Sequence, residues 1–191
     1  MGKNRLEAFS DGVIAIIITI MVLELKVPHG EDLAALGGLW PVFLSYILSF
    51  LYVGIYWNNH HHLLHTVKHV NGSILWANML LLFWLSLFPF TSAWMGENHF
   101  GTWPVAVYGA VPLIAALSYT LLEWCIVRAQ GPGSLLAKAI GKDWKGKISI
   151  IAYVAAAALA FVSPWIACAI FAGVALMWLV PDRRIEKLIG G

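Results

Sequence analysis

Charge is scarce in this 191-residue chain: Asp, Glu, Lys and Arg together make up 12% of it, against 60% hydrophobic residues. Soluble globular domains carry about twice that share of charge, so an ordinary water-soluble fold is excluded and an integral membrane protein is expected. Cysteine is nearly absent too. Cys125 and Cys168 both fall in apolar segments on different expected spans, where a buried small side chain is the ordinary fate, so neither a disulfide nor redox chemistry is expected. The longest polar stretch, Gln130–Lys147, is rich in Gly and Lys and too short to build a core of its own. Gly-rich phosphate loops, a GxSxG turn and paired Cys clusters are all missing. No catalytic residues, no cofactor and no nucleic-acid partner are therefore expected, and the chain does not read as an enzyme.

What the chain has is apolar runs of bilayer length, at 6–26, 38–58, 73–95, 103–127, 147–163 and 164–181. The last two form one long run. Ser163-Pro164-Trp165 in its middle is the natural turn, because proline lacks an amide donor and disfavours helix at the residue before it. The expectation is one all-α membrane domain over residues 1–191 with six transmembrane helices. The first run contains Asp11, lacks a small-x-small exit site and continues to span length, so it reads as a helix and not as a cleavable signal.

Basic residues fix the expected orientation. Lys3, Arg5, Lys68, the segment from Arg128 to Lys147, and Arg183, Arg184 and Lys187 fall on one side of a six-span chain, and only Lys26 on the other. The positive-inside rule then puts both termini in the cytoplasm of a multi-pass protein of the cell's inner (plasma) membrane. Trp40, Trp57, Trp94, Trp103, Trp144 and Trp165 lie near expected span ends, where the amphipathic ring suits the headgroup region.

The segment from Arg5 to Pro28 carries the strongest functional signal. It sets Arg5, Phe9, Ser10 and Asp11 directly before and inside an apolar helix. Charge at the mouth of a spanning helix is costly unless the protein supplies partners, so these residues read as a built site. At about 100° per residue, Ile16, Ile20 and Leu23 fall on one apolar stripe, with Thr19 at its margin and Phe9 and Gly12 continuing it. By pattern alone this stripe suits contact with lipid or neighbouring helices as well as a pore lining.

Arg5-x-x-x-Phe9-Ser10-Asp11 followed by Ile16, Thr19, Ile20 and Leu23 resembles the signature of the transmembrane protein 175 potassium-channel family, in its prokaryotic branch. The Tyr56-Trp57-Asn58-Asn59-His60-His61-His62 and Trp76-Ala77-Asn78 segments and the six-span layout extend the likeness, the second half of the chain matching mainly by layout. The resemblance implies a homotetramer whose first helices line a central pore, since one six-span repeat supplies only one copy of the stripe. Ile16 takes the place of the main constriction, Ile20 and Leu23 those of further apolar rings, and Thr19 that of a hydroxyl layer favouring potassium. The implied activity is leak-like passage of potassium ions across the lipid bilayer. No TVGYG-like carbonyl filter occurs, so selectivity is expected from threonine hydroxyls and pore width.

Arg5, Phe9, Ser10 and Asp11 are expected to lock helices together. Phe9 would pack beneath the first helix, and Ser10 and Asp11 would bond to polar groups among His60, His61, His62, Trp76 and Asn78 on spans two and three. At the outer mouth Glu24, Glu31 and Asp32 outweigh Lys26, which in a tetramer gives a ring of about eight net negative charges. The alternative function is a transition-metal transporter, because His62, His65 and His69 recur at three- and four-residue spacing. A di-iron oxidase needs more histidine clusters than the chain has, and His29 and His99 fall on the opposite side of the membrane.

Overall fold

In the computed structural model, residues 2–134, 136–137 and 143–179 are described, and they contain helices and turns only. The elements are α1 (Lys3–Leu23), α2 (Leu33–Gly37), α3 (Trp40–His65), α4 (Gly72–Leu85), α5 (Phe88–Glu97), α6 (Thr102–Gln130), α7 (Trp144–Leu159) and α8 (Pro164–Leu179). Two of the breaks lie at prolines. Pro89 cannot donate to the carbonyl of Leu85, and the run expected as one span over 73–95 is interrupted at Ser86 and Leu87. Pro164 opens α8, so the turn read from the sequence falls where it was expected.

Among the described residues, four segments are long and apolar enough to cross a membrane: α1, α3, the combined Gly72–Glu97 run and α6. These account for four of the six expected spans, and the fifth and sixth fall on two shorter helices. α7 and α8 have 16 residues each, which at 1.5 Å per residue is about 24 Å against a hydrocarbon thickness of about 30 Å. The expected sixth span ran to 181, and residues 180–181 lie outside the described residues, as do Arg183, Arg184 and Lys187. Span edges moved as well. The first helix occupies 3–23 instead of 6–26, and the second continues to His65, seven residues past its expected end.

The helices pack as neighbours in an order that leaves α1 at the margin. α1 touches α3, α4 and α5, while α6 packs on α4, α5, α7 and α8, and α3 also meets α8. Tyrosine hydroxyls stitch this core by donating to carbonyls of other helices: Tyr52 to Phe171 at 2.7 Å, Tyr56 to Pro112 at 3.2 Å and Tyr119 to Asn59 at 3.0 Å. Ser49 donates to the Tyr108 hydroxyl at 3.1 Å. Such bonds bring polar groups into an apolar span without leaving a donor unpaired. α5 approaches α3 closely at Gly96, where a Cβ would lie 2.7 Å from the Val42 Cα, so only glycine permits the contact.

The two ends of the bundle differ in character. Lys3 donates to the carbonyl of His65 at 3.1 Å, which sets the start of α1 beside the end of α3, and Lys145 at the start of α7 donates to the carbonyl of Met177 near the end of α8. At the other end, Trp40, Phe100 and Trp165 cluster with ring centroids 5.0–6.1 Å apart. Cys125 and Cys168 are free thiols, as the sequence suggested.

Candidate functional site

α1 is apolar on both faces, but only one is covered. Leu6, Ser10, Ile14, Ile17 and Met21 are buried and recur every three or four residues, forming a single stripe against α3, α4 and α5. Arg5, Phe9, Gly12, Ile16, Thr19, Ile20 and Leu23 are exposed on the opposite side. The contrast is sharp between neighbours: Ile16 is 57% exposed and Ile17 3%. Of the four long spans, α1 is the least covered, with 28% of its most apolar stretch buried against 50% for Gly72–Glu97 and for α6. The stripe of branched side chains read from the sequence is therefore the face the subunit leaves open.

The covered face is held by a buried polar chain. Asn78 Nδ2 on α4 donates to Ser10 Oγ at 3.0 Å, and Ser10 Oγ donates back to the Leu6 carbonyl at 2.8 Å. His60 Nε2 on α3 lies 2.7 Å from Asn78 Oδ1. Because that amide oxygen can only accept, the ring carries its proton on Nε2. All three residues are at most 1% exposed. Three helices thus meet on one fully paired network, which fixes which way α1 faces.

Beside it runs a polar ladder whose rungs follow the four-residue repeat of both helices. Lys3 meets the His65 carbonyl, Glu7 Oε1 lies 3.4 Å from His61 Nδ1, and Trp57 Nε1 donates to Asp11 Oδ1 at 3.0 Å. Positions 3, 7 and 11 ascend α1 as 65, 61 and 57 descend α3, the register expected of antiparallel helices presenting one face each.

Of the residues expected to lock the helices together, the structure brings some into contact and not others. Ser10 pairs with Asn78, and through it with His60. Asp11 pairs with Trp57, a residue read from the sequence as an interfacial ring, and His61 pairs with Glu7, which was not singled out at all. The signal that would have found both was the matched i, i+4 spacing on the two helices. Trp76 is 78% exposed and takes no part. His62 meets His61 edge-on, at 5.7 Å between ring centroids, and makes no hydrogen bond to the motif. Phe9 does not pack beneath the helix but is 46% exposed on its open face. The Arg5 side chain is exposed and makes no hydrogen bond or ion pair with another described residue.

Thr19 combines two dispositions. Its side chain lies on the exposed face, and its Oγ1 donates to the Ile16 carbonyl at 2.9 Å. With the hydrogen committed to the backbone, the oxygen's lone pairs remain for an outside donor or cation. An open groove of about 440 Å³ runs beside this face between α1 and the α4–α5 junction, lined by Ile16, Ile20, Glu24, Ser86 and Phe90 among others.

At the far end of α1, Lys26 pairs with Glu97, whose carboxylate, first by its hydrogen bond and then by its charge, raises the pKa of the Lys26 amine. Asp32 is a helix cap, accepting from the Ala35 amide at 2.9 Å. With Glu97 counted, Glu24, Glu31, Asp32 and Glu97 face a single lysine at this end. His62, His65 and His69 do not share a helical face, because α3 ends at His65 and Thr66 caps it. The metal-ligand atoms that converge belong instead to Glu7, His61 and His65.

Residues 5–89, from the motif arginine to the proline that opens α5, match the family model described as endosomal/lysosomal potassium channel TMEM175. A potassium channel of Chryseobacterium sp. (strain P1-3) is 59% identical over 187 residues, covering 98% of this chain and 97% of that one. A potassium channel of Streptomyces collinus is 36% identical over 134 residues, 66% of this chain and 65% of the relative. Among solved structures, a lysosomal potassium-selective channel TMEM175 homolog from Chamaesiphon minutus superposes with a TM-score of 0.83 at 28% identity, covering 94% of this chain and 97% of that one.

Proposed function

This chain belongs to the TMEM175 family, and from that premise we propose that it is a potassium-selective cation channel of the bacterial plasma membrane, formed by four copies around a central axis. One observation carries the reading. α1 is anchored from behind by Ser10, Asn78 and His60, while Phe9, Gly12, Ile16, Thr19, Ile20 and Leu23 stand exposed on a helix the subunit barely covers. Around a four-fold axis that face becomes stacked apolar rings at Ile16, Ile20 and Leu23 with a hydroxyl layer at Thr19. An aliphatic ring narrower than a hydrated ion dewets and blocks passage until the helix turns slightly. The acidic excess at the outer end, Glu24, Glu31, Asp32 and Glu97 against Lys26, concentrates cations at the entrance.

Six crossings per subunit place both termini in the cytoplasm, with α7 and α8 as the short fifth and sixth. The pairing of Lys3 with the end of α3 and the separation of Lys26 from it agree with basic residues gathered at the inner face. Central placement of α1 is tested by cysteine cross-linking. Ile16→Cys is expected to form bridges between subunits under mild oxidation, whereas cysteine at a lipid-facing position of α6 is not. The reverse pattern would remove α1 from the axis.

Selectivity follows from weak coordination. Thr19 offers one hydroxyl oxygen per subunit with its hydrogen already held by the Ile16 carbonyl. A site of few, weak oxygens penalises sodium, which gives up a tighter hydration shell than potassium. Reversal potentials in planar bilayers under opposed potassium and sodium gradients test this directly. The wild type is expected to reverse near the potassium potential, and Thr19→Val, which keeps shape and removes the oxygen, to reverse closer to zero with the tetramer intact. An unchanged reversal potential in that variant would remove Thr19 from the permeation path.

A further inference from the structure

We propose that Glu7, His61 and His65 form a binding site for a divalent transition metal of the zinc class, and that the bound ion clamps the inner end of α1 to α3. The nitrogens and carboxylate oxygen of these three residues lie within 4.8 Å of one another. The Glu7 Oε1 to His61 Nδ1 distance, 3.4 Å, is the edge of a tetrahedron built on metal–ligand bonds of about 2.0–2.1 Å, which comes to roughly 3.3 Å. His61 and His65 are one helical turn apart on α3 with ring centroids at 4.6 Å, the i, i+4 arrangement by which a helix presents two imidazoles to one ion. Two imidazoles and a carboxylate are ligands for zinc-like ions and poor ones for magnesium or calcium, which prefer all-oxygen shells.

Exposure completes the case. Glu7 and His61 are half-buried and His65 is exposed, so the site is supported from within and open to solvent on the remaining side for a water ligand and for entry of the ion. A cation stands close by, Lys3, whose ammonium donates to the His65 carbonyl at 3.1 Å and so occupies none of the three ligand atoms, while its charge opposes that of an incoming metal ion. The three ligands span two elements that carry different duties. Glu7 precedes Phe9, Ser10 and Asp11 on the helix proposed to line the pore, while His61 and His65 stand on the extension of α3 beyond the bilayer run. A metal ion here adds a bond between them at the inner end of α1. This regulatory consequence rests on the channel reading, while binding itself does not.

The test uses the purified full chain and zinc chloride alone. Stripped protein titrated calorimetrically with zinc is expected to take up one ion per subunit at micromolar concentration. Glu7→Gln and His65→Ala should weaken uptake at least tenfold and His62→Ala should not. No saturable uptake, or uptake unaffected by His65→Ala, would overturn the site. His65 is exposed at the last turn of α3, so its replacement does not threaten folding, and a matching thermal transition in metal-free buffer verifies this. In proteoliposomes, zinc on the cytoplasmic side is expected to change potassium flux at least twofold in wild type and not in His65→Ala. Zinc that binds as described but leaves flux unchanged would overturn the clamp. Absence of potassium flux in metal-free wild-type protein would instead count against the channel reading, with the calorimetry still deciding the metal site.

Discussion

Ile16→Asn is expected to raise single-channel potassium current several-fold while leaving the protein folded and tetrameric. Ile16 is 57% exposed in the subunit, so the substitution removes methyl groups from the open face of α1 and none from the core. Replacing a ring of four aliphatic side chains by carboxamides wets the neck. A fall of about 1 kcal/mol in the barrier to an ion there multiplies its passage rate roughly fivefold. The adjacent position supplies the control. Ile17 is 3% exposed among α3, α4 and α5, so Ile17→Asn buries an unpaired carboxamide and is expected to reduce the yield of folded protein instead. Bilayer recordings of the first variant and size-exclusion profiles of both decide the matter. Unchanged current in a well-assembled Ile16→Asn channel would move the constriction elsewhere, to Leu23 first, which stands two turns on and is 79% exposed.

The second large effect falls on stability. Asn78→Leu keeps volume but takes both polar ends out of the anchor, leaving Ser10 Oγ without its donor and His60 Nε2 without its acceptor in a site sealed from solvent. An orphaned buried polar group costs about 1–3 kcal/mol, and bonds inside membrane proteins average toward the low end, so a loss of about 2–4 kcal/mol is expected. The melting temperature of the detergent-solubilised protein should fall accordingly. A double-mutant cycle sharpens the test: once Asn78 is Leu, His60→Leu is expected to cost markedly less than it does alone, because its partner has already gone. Additive losses would mean that the two residues are not coupled. Trp76→Leu, at a side chain 78% exposed and outside the network, should leave the subunit's stability within about 0.5 kcal/mol of wild type.

Both expectations turn on the same separation, because α1 has one face for anchoring and one left open. The first ten residues of the helix place Ser10 on the anchored side, and the rest of the helix is so uniformly apolar that burial alone could have rotated it either way. The Ser10–Asn78–His60 chain removes that freedom. Hydrogen bonds are directional where hydrophobic contact is not, so three buried polar groups can set the rotation of a helix whose packing would tolerate several.

Membrane residence, helical class, the break at Pro164 and the need of Ser10 and Asp11 for polar partners were determined by the sequence by itself. Each depends on local composition or on a backbone rule that a residue carries with it: apolar length, the missing amide of proline, the cost of charge beside a spanning helix. Which partners the motif takes was decided only in three dimensions. Trp57 and Glu7 enter through the antiparallel register of α1 and α3, Trp76 drops out because it faces outward, and His69 leaves the histidine group because α3 ends four residues before it. These depend on how two helices are rotated and shifted against each other. That relation belongs to the pair of surfaces and to neither segment alone, so pattern within one segment could not contain it.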